Sequence, residues 1–280
     1  MYISDELIDK FIREDVPYID LTTLILGIGD QKGSIQFFSR EDAVLCGTEE
    51  VTKIFNRLNI DLIKTCVSGS IIKKNEIFLE GIGKAEDLHM AWKVSQNLLD
   101  YSSGIATKTK KLIDKISTIN PNIHIIATRK VIPGTKELAI KAVIAGGGLP
   151  HRLGLSETIL IFKQHLNFLG GIDKLNEIIK NVKSRACEKK VIVEIDNLEQ
   201  AIELSKSGVD GIQFDKIPYD KLEKNVSIIR NINPSIIILA SGGINENNII
   251  EYAKTGVNAI VTTSIYHAQP IDIGCNIIPL

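Results

Sequence analysis

From about residue 105 onward, short and nearly unbroken apolar runs alternate with amphipathic stretches. The runs at 123–127, 158–162, 191–195, 211–214, 236–240 and 259–262 are rich in β-branched residues. Parallel strands covered on both faces have this pattern. Between them the spacing of apolar positions predicts helices at 138–145, 172–185, 198–207, 219–231 and 246–255. Strand and helix alternate six times, which leaves a βα barrel or a doubly wound sheet. Polar residues follow, end or lie within every strand: Arg129 and Lys130, Lys163, Glu194, Asp215, Ser241 and Thr262. A barrel gathers such residues at one mouth, so the expectation is an open, incomplete parallel α/β barrel with fewer than the usual eight units.

The first hundred residues read differently. A helix is expected at 4–13 with Ser4 as its cap, then strands at 34–38, 42–45 and 76–80. Asp87 is the expected cap of a helix through Leu99, because Leu88, Ala91, Trp92, Ser95, Leu98, Leu99 and Ser102 recur at helical spacing. The expected fold class is therefore α/β, an N-terminal α+β sandwich-like domain joined to the barrel. The domains are placed at 1–105, rejoined by 268–280, and at 106–267.

Composition narrows the function. With 44% hydrophobic and 24% charged residues the 280-residue chain is globular rather than disordered. Its 33 Lys and Arg against 34 Asp and Glu give a net charge of -1, which offers no broad basic field for nucleic acid. No apolar run is long enough for a bilayer. The opening Met1-Tyr2-Ile3-Ser4-Asp5-Glu6 is acidic where a signal peptide is basic, so a cytoplasmic protein is expected. Cys46, Cys66, Cys187 and Cys275 are scattered without a CxxC pair, which points to reduced thiols rather than zinc ligands.

Three clusters can carry chemistry. Thr128-Arg129-Lys130 with Pro133-Gly134 sets two cations directly after a strand. A guanidinium holds a carboxylate or phosphate bidentately, and an ammonium acts as a movable point charge. Gly146-Gly147-Gly148 leads to His151-Arg152, a second cationic pair expected at the same end of the barrel. Four such groups repel one another unless an anion lies between them. Each cluster alone is equally well a solvated turn; together they indicate an anionic small molecule. Glu194 and Asp215 lie one βα unit apart, where they can bind ribose hydroxyls, hold Mg²⁺ through water, face a developing positive charge, or simply organise the rim. Ser241-Gly242-Gly243 opens a helix whose backbone N–H groups can receive a phosphate. No nucleophile elbow, P-loop, dinucleotide fingerprint or HExxH is present.

These residues, with Glu14-Asp15, Asp20-Leu21-Thr22-Thr23, Ser103-Gly104-Ile105-Ala106-Thr107, Leu153-Gly154-Leu155 and Val193-Glu194-Ile195, resemble the quinolinate (nicotinate-nucleotide) phosphoribosyltransferase superfamily over nearly the whole chain. The wording of 13–18, of Ala91-Trp92-Lys93 and of 154–158 is similar to its pyrophosphorylase branch associated with molybdenum transport. The resemblance implies transfer of phosphoribose from phosphoribosyl pyrophosphate, with Mg²⁺, to a ring nitrogen. It also implies a homodimer in which one subunit's N-terminal domain covers the other's barrel mouth. By motif, Arg129, His151 and Arg152 bind the acceptor's acidic groups. Lys130, Glu194 and Asp215 are the catalytic set, Glu194 and Asp215 also serving the metal through water. Ser241, Gly242 and Gly243 hold the 5-phosphate.

The departures bear on the acceptor. Aligned without gaps from His151, the family's quinolinate-binding lysine falls on Phe162. Lys163 is adjacent but expected on the opposite side, as neighbouring strand positions are. The family's interface-helix arginine is Lys93, and the asparagine after the rim aspartate is Lys216. The expected acceptor is therefore a nitrogenous acid other than quinolinate. The alternatives are a true quinolinate enzyme using Lys163 or Lys93, and a non-catalytic protein that binds an anion or metabolite in molybdate transport.

Overall fold

The computed structural model describes residues 1–280. In chain order its strands are β1 (Lys32–Ser39), β2 (Ala43–Val44), β3 (Asp61–Thr65), β4 (Ile71–Ile72), β5 (Ile77–Lys84) and β6 (His124–Ala127). They continue as β7 (Leu149–Pro150), β8 (Ile159–Ile161), β9 (Val191–Ile195) and β10 (Gly211–Asp215), then β11 (Ile237–Ser241), β12 (Ala259–Thr262) and β13 (Ile273–Pro279). The chain divides into two compact units: residues 1–110, 132–147 and 266–280, and residues 111–131 with 148–265.

The first unit is built on an antiparallel sheet in the order β13-β1-β5-β3. Its apolar core contains Ile35 and Phe37 from β1, Leu79 from β5 and Ile273 from β13. Helix Thr48–Arg57 brings Val51, Ile54 and Phe55 to the same core at i, i+3 and i+4, a helix that the sequence pattern did not reveal. Helix Asp5–Asp15 starts where expected, with Ser4 Oγ accepting from the Leu7 amide at 3.3 Å. The long helix differs from expectation. It begins at Ala85 and runs 33 residues to Ser117, so Asp87 lies in its first turn rather than at its cap. Gly104 lets it continue: a Cβ there would lie 2.4 Å from the Gln269 carbonyl oxygen, too close for any other residue.

The second unit contains a wholly parallel sheet in the order β7-β6-β12-β11-β10-β9-β8. Six of its strands coincide with the apolar runs; the seventh, β7, is two residues long and lies at an edge. Leu160, Ile192, Leu239, Ala259 and Val261 meet in one inward cluster. Four strand spacings separate β7 from β10, roughly 19 Å across a flat sheet. His151, directly after β7, nevertheless reaches Gln213 of β10 with 2.8 Å between Nε2 and Oε1. Only a curled sheet allows that contact, so this unit is an incomplete barrel. The Asn197 side chain accepts from the Gln200 amide at 3.0 Å, capping the helix Leu198–Ser207 that follows β9.

No helix in the protein is long and apolar enough to cross a membrane.

Candidate active site

Alternation along the strands selects what enters the mouth. With Ile192 in the inward cluster, a period of two brings Glu194 to the same face of β9. The register then sets Gln213 beside Glu194, and Asp215 beside Ser241. Ser241 donates to Asp215 Oδ1 at 3.2 Å and is itself 6% exposed. On the other side, Thr128 and Thr263 share a hydroxyl hydrogen bond of 2.9 Å, and the Lys130 amide donates to Thr128 Oγ1 at 3.2 Å. That turn holds Arg129 and Lys130 directly beyond β6.

The charges converge. Burial raises the Glu194 carboxyl above its ordinary range and the Asp215 charge adds to this, while the Gln213 hydrogen bond, Lys130 and Lys216 pull it back. Lys130, Glu194 and Asp215 thus share one rim although 85 residues of sequence separate the first from the last. Arg129, His151 and Arg152 form a second group. Burial lowers the His151 imidazole, and Arg152 and Arg129 lower it further against the opposing hydrogen bond to Gln213. Arg152 is 8% exposed and lies over the Phe162 ring, 5.8 Å from its centroid, rather than in an ion pair. A buried guanidinium beside a second one has the charge and the donors to receive an anion.

Gly242 and Gly243 follow with φ of 88° and 73°, the left-handed region that favours glycine. Lys216 also adopts a positive φ, 57°, a conformation asparagine takes more readily than lysine. Lys93 lies on the long helix of the first unit, where its ammonium sits 4.6 Å from the Trp92 ring centroid and 3.1 Å from Gln96 Oε1.

Two residues differ from their sequence reading. Lys163 is not a strand residue: β8 ends at Ile161, Phe162 caps the next helix and Lys163 begins it. Strand alternation does not apply there, and Lys163 lines a cavity of about 550 Å³ together with Glu194, Asp196, Gln200 and Asp215. Gln213 is a site neighbour that no motif marks. Its signal was a polar residue at an inward position of an otherwise apolar strand, two before Asp215.

A parallel half-barrel whose rim combines paired carboxylates, separate cations and a Ser-Gly-Gly turn has the composition of a phosphoribosyltransferase. Comparison with known proteins agrees. The family model for the N-terminal domain of quinolinate phosphoribosyl transferase matches residues 20–103, and that for the C-terminal domain matches 105–276. The chain belongs to the quinolinate phosphoribosyl transferase family and is an enzyme of the phosphoribosyltransferase class. It is 35% identical to a pyrophosphorylase named ModD from Pasteurella multocida, over 98% of this chain and 97% of that one. It is 30% identical to a protein of Methanothermobacter thermautotrophicus named as a carboxylating nicotinate-nucleotide pyrophosphorylase, over 97% and 98%. The structure of the nicotinate-nucleotide pyrophosphorylase from Francisella tularensis superposes with a TM-score of 0.89 at 27% identity, covering 99% of this chain and 98% of that one.

Proposed function

We propose that this enzyme transfers phosphoribose from phosphoribosyl pyrophosphate to the nitrogen of an acid-bearing acceptor other than quinolinate, as a ModD-like member of its family. The observation that carries this reading is the meeting of Glu194 with Asp215, Lys130 and Lys216 at one rim, beside a separate group of guanidiniums. Departure of pyrophosphate leaves positive charge on the ribose, and carboxylates facing the sugar stabilise it. Glu194 and Asp215 serve that role and hold the ribose hydroxyls. Lys130 receives the charge of the leaving pyrophosphate, and Ser241 with the Gly242–Gly243 backbone holds the 5-phosphate. Arg129 and Arg152 pair with the acceptor's acid group, with His151 and Phe162 beside them. Positioning and electrostatics suffice, so no covalent enzyme intermediate is needed.

No three His, Cys, Asp or Glu side chains cluster as a metal cage. Mg²⁺ commonly binds through one or two carboxylates together with substrate phosphates, and the Glu194–Asp215 pair fits that mode, directly or through water. Bound there, Mg²⁺ would neutralise charge on the pyrophosphate.

The test is turnover of phosphoribosyl pyrophosphate across a panel of pyridine and azole acids. One or more should yield a nucleotide and pyrophosphate, and Glu194→Ala should reduce kcat/KM by roughly a hundredfold or more. Unchanged activity in that variant would remove Glu194 from the chemistry. A second reading, quinolinate as acceptor, draws on Lys163, which supplies a cation to the cavity despite Phe162. Formation of nicotinate mononucleotide and CO₂ would favour it.

A homodimer is part of the proposal. Tyr18, Ile19, Leu21, Leu24, Ile25 and Leu26 form an apolar stretch at least 58% exposed in the isolated chain, and such patches mark association surfaces. Light scattering should give twice the chain mass, and Leu24→Asp with Ile25→Asp should shift it to one.

A further inference from the structure

Gln213 is 4% exposed on the inward face of β10, and both ends of its amide are engaged. Its Nε2 donates to Glu194 Oε2 at 2.6 Å, and its Oε1 lies 2.8 Å from His151 Nε2. A carboxylate accepts hydrogen bonds and does not donate them, so Glu194 fixes which end of the amide faces it. The carbonyl end is left for His151. A carbonyl can hold the ring only if Nε2 carries the proton. His151 Nδ1 is enclosed and has no protein partner. An enclosed lone pair is tolerated more readily than an enclosed, unpaired N–H. A second ring proton is also opposed by the charges of Arg152 and Arg129. The Gln213 contact and the two guanidinium charges therefore point to one tautomer, against the ring's contact with its own backbone, which favours a further proton.

We propose that Gln213 is a positioning residue that connects Glu194 to His151 and fixes the imidazole as its Nε2–H tautomer, so that Nδ1 accepts a hydrogen bond from the acceptor substrate. The two guanidiniums take the acid group, and His151 asks for an N–H or O–H next to it. The acceptor class is then an acid that carries its own donor, such as an azole carboxylate. An ionised pyridine dicarboxylate offers only acceptors and leaves Nδ1 unpaired. This deepens the reading of phosphoribosyl transfer to an acid-bearing acceptor and rests on it.

The experiment uses the full chain labelled with ¹⁵N-histidine at neutral pH. Only five histidines are present, and His151→Asn identifies the signal of interest. Two-bond ¹H–¹⁵N spectra should show a protonated Nε2 and a bare Nδ1 at His151. Gln213→Met, checked for an intact thermal transition, should show a mixture of tautomers. An Nδ1–H or doubly protonated ring in the unmodified protein overturns the proposal without reference to any variant or substrate. In turnover, acids with a ring N–H should exceed matched acids without one in kcat/KM by roughly tenfold or more, and Gln213→Met should remove that ratio mainly through KM. Equal use of both acids also overturns it. If no acid is turned over, the phosphoribosyl reading fails separately. The same acids then serve as NMR ligands, where equal perturbation of the His151 signal by both kinds counts against the proposal and selective perturbation supports it.

Discussion

Gly242 has φ 88°, and a methyl group placed on it would lie 2.6 Å from Asp215 Oδ1 and 2.7 Å from the Lys216 amide nitrogen. The turn after β11 is thus packed backbone-first against the aspartate. Gly242→Ala combines a disfavoured left-handed conformation with displacement of Asp215, and should cost about 1–3 kcal/mol in chemical denaturation. Because Asp215 must move, activity should fall further than the loss of stability explains. A variant with full activity would separate this turn from the site. At this scale much of the site was legible in the sequence. Lys130, Glu194, Asp215 and Ser241 stand at strand ends, and a barrel collects strand ends at one rim. Gln213 showed only as a polar residue in an apolar strand, and its importance lies in partners 62 and 19 residues away.

At the scale of elements, the helix Leu198–Ser207 shows how a local signal positions a remote group. Asn197 caps it through the Gln200 amide, and Gln200 lines the cavity that Glu194 and Asp215 share. Asn197→Ala should cost about 1 kcal/mol in urea unfolding, whereas Asn197→Ser or Asn197→Asp should cost much less. Equal losses from all three would show that the hydrogen bond does not anchor the helix. Six barrel strands were visible because each is a buried apolar run, and strand β9 and the helix Ile172–Arg185 have the expected bounds. The missed elements share a physical reason. Strand β7 is two residues long and includes Pro150, so no periodicity exists to detect. The helix Thr48–Arg57 follows Gly47 with no side-chain cap. In the helix Lys163–Leu169 the Phe162 side chain offers no capping oxygen, His165 Nδ1 instead accepting from the Phe162 amide at 2.9 Å, and the helix spans barely two turns. The helix Ala85–Ser117 ran past its expected end because Ser103 and Gly104 resemble a stop, although Gly104 is there for close approach.

Across the whole molecule, Asp100 makes stability depend on pH in an unusual direction. Burial raises its carboxyl to about 6, assisted by Asp272 and opposed by the Ile273 amide, Lys93 and Arg40. The folded state therefore holds this proton more tightly than the unfolded chain, where the ordinary value is 3.8. Its ionisation is a penalty at neutral pH that is relieved as pH falls through about 6 and is fully relieved below 3.8. Asp100→Asn keeps an oxygen for the Ile273 amide, which now donates to Asp100 Oδ1 at 3.2 Å. The variant should be more stable by about 1–2 kcal/mol at pH 8, and the advantage should vanish by about pH 4. Thermal melts across that range measure the difference, and a constant offset would assign the effect to packing instead. Burial of a single carboxyl thus sets how this unit's stability responds to pH.

Strand β7 has a neighbour on one side only, and it leads directly into His151 and Arg152. Strands β10 and β11 are held on both sides and end in Asp215 and Ser241. The barrel is accordingly divided between a margin that can be rebuilt cheaply and a centre that cannot, since a change in β7 disturbs a single ladder. Anyone seeking to retrain this enzyme toward a new acceptor should randomise residues 149–157 and leave the middle strands alone.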